Sequence, residues 1–299
     1  HVQVHVTPLR YESASRPTGS LLVMNDITRL QHLEDLRKDF VANVSHELKT
    51  PITSIKGFVE TLLDGASNDP STVDRFLQII LNHTNRLHLI IEDLLSLSRL
   101  EQSDQRITFH RFPLRTVLEP TLEICGPHAR EKRIDIRHRM EGDDHAWGNP
   151  NLLEQALVNL VDNAIKYSPN GSTVEIVVVN SGPRLVLRVI DEGQGIRAQD
   201  LPRVFERFYR TDKARSRELG GTGLGLAIVK HIARAHRGEV TVDSTLGQGA
   251  TFVIEIPQSD ATHRASGHHA DDNLHTAYQA PEQGAEEVDP LQVSRDHHQ

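Results

Sequence analysis

The chain has 299 residues, 37% of them hydrophobic, a net charge of −8 and one cysteine. That length holds about two domains with sizeable cores, and the acidic balance argues against nucleic acid as a partner. Cys125 alone excludes an internal disulfide, and no run nears the ~18 consecutive apolar residues of a membrane helix.

Residues 1–8 and 20–25 have strand character, and two strands are too few for a stable sheet. Residues 1–27 are therefore expected to close a domain that begins upstream, and only such an upstream part could attach the protein to a plasma membrane. The residues in hand have no signal-peptide layout and are expected in the cytoplasm. From Thr28 the pattern turns helical: Leu33, Leu36, Phe40, Val44, Leu48, Ile52, Ile55, Val59 and Leu62 form one apolar stripe. Asn68, Asp69 and Pro70 supply a turn and a helix start. Val73, Leu77, Ile80, Leu87, Ile91 and Leu94 form a second stripe. A lone hairpin cannot hide two such faces, so residues 28–104 are expected to pair into a homodimeric four-helix bundle.

Residues 105–258 alternate strand-like runs (133–139, 174–179, 185–190, 239–242, 251–256) with helical ones (114–124, 151–167, 224–235), which predicts an α/β layered domain. Residues 259–299 are polar and are expected to be a disordered tail.

Five residue patterns carry chemistry. On the first long helix, His46 stands ~160–200° around from the apolar stripe, so its imidazole should face solvent. Glu47 is adjacent and could take its proton, and Pro51 should kink the helix just after it, at about 3 kcal/mol. Asn159, Asn163 and Lys166 share one face of the helix that Asn149 and Pro150 open, with Tyr167 beside them. An amide oxygen suits Mg²⁺, a lysine suits phosphate, and a tyrosine can pack on a base. At the end of a strand, Asp191 can accept from an exocyclic amine, and Gly193 and Gly195 let backbone approach a ligand. Finally, Phe205–Arg210 leads through a polar stretch, read as a lid, to Gly220–Leu226 before a helix, where free N–H groups make an anion site. Gly247–Gly249 then turns into the last strand. Each pattern alone also suits a solvated helix face or an ordinary turn; their order behind an exposed HELKTP is the specific signal.

These residues resemble the sensor histidine kinases of two-component systems. SHELKTP matches the H box, Asn159–Tyr167 the N box, Asp191–Gly195 G1, Phe205–Arg210 the F box, Gly220–Leu226 G2 and Gly247–Gly249 G3. The resemblance implies an α+β multidomain chain: a dimeric helical hairpin, then a Bergerat-type (GHKL) α/β sandwich that binds ATP. It implies His46 as the phosphoacceptor, Glu47 beside it, and Thr50 orienting water in phosphatase action. Asn163 would hold Mg²⁺, Asn159 and Lys166 would serve the phosphates, Tyr167 the adenine, and Asp191 its amino group. Arg207 with Gly221, Thr222, Gly223, Leu224 and Gly225 would handle phosphates, and Thr251 would lie near the base. A response regulator receiver domain would be the partner, and the Asp26–Thr28 junction resembles the exit of a PAS domain. The helix around His46 is most similar to that of phosphate-regulon sensors. Two rival readings are an ATPase of the same superfamily and a docking module without kinase activity.

Overall fold

The computed structural model describes residues 1–9, 19–64, 69–101, 107–211 and 221–258. Asn68, Gly220, the lid residues 212–219 and the tail at 259–299 lie outside the described residues, as do the side chains of Leu33 and Leu36. Strands β1 (Val2–Leu9) and β2 (Gly19–Asp26) pair antiparallel, with Val2, Val4, Val6, Leu21, Leu22, Val23 and Met24 exposed.

Helices α1 (Thr28–Leu63) and α2 (Pro70–Glu101) form the expected hairpin, joined by a Phe58–Phe76 ring contact at 5.1 Å. Asp69 starts α2 by accepting from the Ser71 N–H and from the Ser71 and Thr72 hydroxyls. The helix runs through the proline: Pro51 is buried within α1. The two stripes divide. Phe40, Val44, Leu48, Ile55, Leu62, Val73, Ile80, Leu87 and Leu94 are half-buried, whereas Ile52, Val59, Leu77 and Ile91 are exposed. No described helix is long and apolar enough to cross a membrane.

The α/β part is two-layered. A five-stranded sheet runs in the order β4 (Asp135–Gly142), β6 (Thr173–Ser181), β7 (Arg184–Asp191), β9 (Ala250–Pro257), β8 (Glu239–Ser244); β4 and β6 are parallel and the other pairs antiparallel. Helices α3 (Arg115–Glu131), α4 (Pro150–Tyr167) and α5 (Gly225–Ala235) cover it. Val174, Ile176, Val178, Leu185, Leu187, Val189, Phe252, Ile254 and Ile256, at every second strand position, meet Leu157, Leu160, Val161, Ile228 and Ile232 in one core. Two short strands, β3 (His110–Pro113) and β5 (His145–Gly148), form a separate pair. Leu97 and Leu100 of α2 belong to the same core, so the end of the hairpin is packed into the α/β layer.

Candidate functional site

Helix α4 is positioned from both ends. The Asn149 side chain accepts from the Leu152 N–H at 3.1 Å and Pro150 takes the first turn, as the sequence predicts. At the other end Lys132 Nζ donates to the carbonyls of Ile165, Lys166 and Ser168 at 2.8, 2.9 and 3.0 Å, which satisfies the last-turn acceptors and sets a cation on the negative end of the helix. The helix buries Leu153, Leu157, Leu160, Val161 and Ile165, leaving Asn159, Asn163, Lys166 and Tyr167 half-buried along one margin.

Beside that margin lies an open cleft with a cavity volume of about 90 Å³. Asn163 and Tyr167 line it from α4, Asp191, Gln194 and Gly195 from the end of β7, and Tyr209 and Arg210 from the opposite wall. Ile196, Val204, Leu226, Ala250 and Phe252 give it an apolar lining. Asp191 is buried, and its Oδ1 accepts from the N–H groups of Gly193 (2.8 Å) and Ala250 (3.2 Å). Among the described residues none donates to Oδ2, so this oxygen can accept from a ligand. Burial pushes the Asp191 carboxyl up, against the pull of those two N–H groups. Gly193 is required here: a Cβ would meet Asp191 Oδ1 at 2.7 Å and the Tyr167 carbonyl oxygen at 2.9 Å. Tyr209 is fixed by its hydroxyl, which donates to Asp200 at 2.8 Å, and by the Arg203 guanidinium stacked 4.4 Å over its ring.

Two of the predicted residues, Arg207 and Thr251, point away from this cleft. Arg207 turns away from the cleft: its guanidinium bonds Glu101 and lies 5.1 Å over the Phe40 ring, because α2 ends with a carboxylate beside it. Arg210, three residues on, takes the place inside the cleft. Its side chain is only 4% exposed, its Nη2 donates to the Thr222 carbonyl (2.7 Å) and to Glu47 Oε2 (3.2 Å), and its buried Nε has no partner among the described residues. Burial pulls this guanidinium below its ordinary value, Glu47 opposes the pull, and Arg86 adds to it. An orphaned buried donor calls for an acceptor. Thr251 is the second of these. Strand alternation puts Ala250 and Phe252 on the cleft and Thr251 on a separate polar depression beside Asp243 and Ser244.

The glycine-rich segment closes the same region. Phe208 has a positive φ of 62° and donates its N–H to the Gly223 carbonyl at 2.8 Å, while a Cβ on Gly223 would come 3.0 Å from Phe208 Cα. Thr222 is buried, and its hydroxyl accepts from the Leu224 N–H at the start of α5 (3.1 Å). Gly225 faces the Asn159 amide oxygen, 3.2 Å from where a Cβ would sit. Lys166 pairs with Asp162 at 2.6 Å. Asn159, Lys166, Gly193 and Gly221–Gly225 thus surround the cleft without lining it.

His46 is exposed on α1, as predicted. The Glu47 carboxylate receives Arg86 (2.9 Å) and Arg210 (3.2 Å), and among the described residues no bond joins it to the His46 ring. The Thr50 hydroxyl donates to the His46 carbonyl at 3.1 Å. The glycine-rich segment also touches the hairpin, where Thr222 Oγ1 donates to Asp93 Oδ2 at 2.6 Å and Phe40 meets Phe208 at 6.0 Å between ring centroids. Burial pushes the Asp93 carboxyl up; the Thr222 bond and Lys166 pull it down, and Asp162 and Glu92 push it further up. Arg210, Asp93 and Arg86 are the site-bordering residues that periodicity did not single out.

Residues 36–103 match the His Kinase A (phospho-acceptor) domain, and residues 148–260 match the Histidine kinase-, DNA gyrase B-, and HSP90-like ATPase domain. The chain belongs to the sensor histidine kinases. It is 40% identical over 239 residues to the sensor-like histidine kinase SenX3 of Mycolicibacterium smegmatis, covering 80% of this chain and 62% of that protein. It is 38% identical over 246 residues to the sensor histidine kinase WalK of Bacillus subtilis, covering 81% of this chain and 40% of that protein. The chain therefore spans between two fifths and three fifths of the length of these relatives. Among solved structures, the histidine kinase AdeS of Acinetobacter baumannii superposes with a TM-score of 0.59 at 28% identity, over 72% of this chain and 98% of that one. The histidine kinase ThkA, crystallised with the response regulator protein TrrA, superposes with a TM-score of 0.61 at 25% identity, over 86% and 75%. The α+β order of helical hairpin and α/β sandwich is the one these families share.

Proposed function

We propose that this sensor histidine kinase chain is an ATP-dependent protein-histidine kinase that phosphorylates its own His46. One observation carries the reading. Arg210, which lines the cleft and whose buried Nε has no partner among the described residues, also bonds Glu47, the neighbour of His46. One guanidinium thus touches both the cleft and the turn that bears the acceptor imidazole.

The cleft suits ATP by its chemistry. The Asp191 carboxylate accepts the adenine amino group and would repel the carbonyl that guanine presents there. Tyr167 and the apolar lining pack against the base, while Arg210, Lys166 and the N–H groups at the start of α5 serve the phosphates. Asn163 is the cleft's amide oxygen donor for Mg²⁺, whose role when bound is to neutralise phosphate charge. Phosphoryl transfer asks mainly for alignment and charge stabilisation, so Arg210 and an outward imidazole answer most of the need. Glu47, held by two guanidiniums, orients the acceptor turn and can share the imidazole proton.

The phosphoryl group is then passed to an aspartate of a response regulator receiver domain, and Thr50, exposed one turn beyond His46, orients the water that hydrolyses that aspartyl phosphate to inorganic phosphate. The exposed Ile52, Leu63, Leu77, Leu81 and Ile91 support a homodimeric four-helix bundle. Strands β1 and β2, apolar and exposed, support the reading of residues 1–27 as the end of a PAS-like sensory domain. Phosphate limitation as the stimulus rests on the resemblance of the His46 helix alone. The test is incubation with γ-labelled ATP and Mg²⁺. A label stable in alkali, lost in acid and confined to the His46 peptide is expected; released phosphate with no label on the protein would favour an ATPase.

A further inference from the structure

Asp93 has no task in the mechanism above, yet its position is unusual. It is a half-buried carboxylate on α2, in contact with the glycine-rich segment of the other layer. A buried carboxylate is costly unless hydrogen-bonded, and an apolar side chain would pack this surface more cheaply. Its Oδ2 accepts from the Thr222 hydroxyl at 2.6 Å. The Thr222 carbonyl accepts from Arg210 Nη2, the same Nη2 donates to Glu47 Oε2, and Glu47 is held in turn by Arg86. An unbroken polar chain therefore runs from α2, through the first turn of the glycine-rich segment and the cleft arginine, to the carboxylate beside His46. Ser96, one turn further along α2, bonds Gln155 across the same interface but among the described residues has no such path to Arg210.

We propose that Asp93 is a positioning residue for phosphoryl transfer: through Thr222 it holds Arg210 in register with Glu47 and so aligns the cleft with His46. This rests on the histidine-kinase reading. The first atom Asp93 touches is a hydroxyl that also opens α5, so its loss shifts the loop and the arginine together while the adenine end at Asp191 is untouched. Misalignment of about an ångström slows transfer far more than it weakens binding.

The test is a double-mutant cycle with the whole chain, reading the transfer rate at saturating ATP, the Kd of a non-hydrolysable ATP analogue, and the melting temperature. Asp93→Ala is expected to slow transfer about tenfold with Kd within about twofold. Thr222→Ala should slow it similarly, and the double variant no more than either single one. Asp93→Asn keeps the size and one acceptor oxygen and should fall between; Thr222→Ser should restore the rate. Ser96→Ala, at the same interface, should leave it unchanged. Additive losses, a fall confined to Kd, an increased rate, or an equal loss from Ser96→Ala would each overturn the role of Asp93. Failure of the unaltered chain to label His46 would instead remove the kinase reading itself.

Discussion

Replacing Arg210 by Met separates the two arginines between which sequence and structure differ. The guanidinium is 4% exposed and gives one neutral bond to the Thr222 carbonyl and one charged bond to Glu47. Losing the first leaves a buried carbonyl unpaired, at about 1–3 kcal/mol. Losing the second costs less than the usual ~1.5–3 kcal/mol for a charged bond, since Arg86 still holds Glu47. Removing a desolvated cation returns part of this, so a net loss of about 2 kcal/mol is expected, a few degrees in a thermal melt. Catalysis should suffer more. A preorganised charge aimed at the transferring group is worth about 10²–10³ in rate, and that fall should appear at saturating ATP in a single-turnover labelling assay. Arg207→Met is the control: its guanidinium is engaged by Glu101 and Phe40, so analogue binding should change by less than about threefold. The reasoning is refuted if Arg210→Met transfers at the parent rate, or if Arg207→Met loses nucleotide while Arg210→Met retains it.

Gly193→Ala drives a Cβ into Asp191 and the Tyr167 carbonyl and should weaken analogue binding at least about tenfold by calorimetry. Gly57→Ala, exposed in α1 with nothing within 4 Å of the new methyl, should instead stabilise the chain by about 0.5–1 kcal/mol in a denaturant titration. Because burial raises the Asp191 carboxyl, analogue affinity should fall on acidification with a midpoint above the usual ~3.9 of an aspartate, the neutral acid being unable to accept from the adenine amine; a flat profile counts against the assignment. His236 is buried with Nε2 accepting from the Asn149 N–H and Nδ1 against the Ile232 carbonyl, and burial lowers its folded value. The unfolded chain binds that proton more readily, so the contribution is present above pH ~6.5 and is lost as pH falls towards the folded value. Melting scans from pH 7.5 to 5 should therefore fall more steeply for the parent than for His236→Gln.

Much of this was legible because the signals were local. The cap at Asn149–Pro150, the outward turn of His46 and the alternation in β6, β7 and β9 follow from spacing alone. The run of α3 through Pro120 and Pro127 was not: the carbonyls those prolines free belong to exposed Thr116 and Glu123, which water can satisfy, so the helix extends to Glu131 rather than ending near Ile124. Strands β3 and β5 are four residues each, too short for period two to register. Arg207 and Arg210 share a six-residue motif, and only the position of Glu101 at the end of α2, 106 residues away, decides which one faces the cleft. Thr251 and Ala250 are adjacent, and the register of β9 on β7 gives Ala250 the cleft. Asp93 gives no sequence signal, since a carboxylate on an amphipathic helix reads as solvated until the glycine-rich segment is placed on it.

The central claim is that His46 is the acceptor and the cleft is the source of the phosphoryl group. His46→Gln measures both at once: the account predicts parent-like affinity for the ATP analogue with no label retained on the protein. Undiminished labelling of His46→Gln would contradict it.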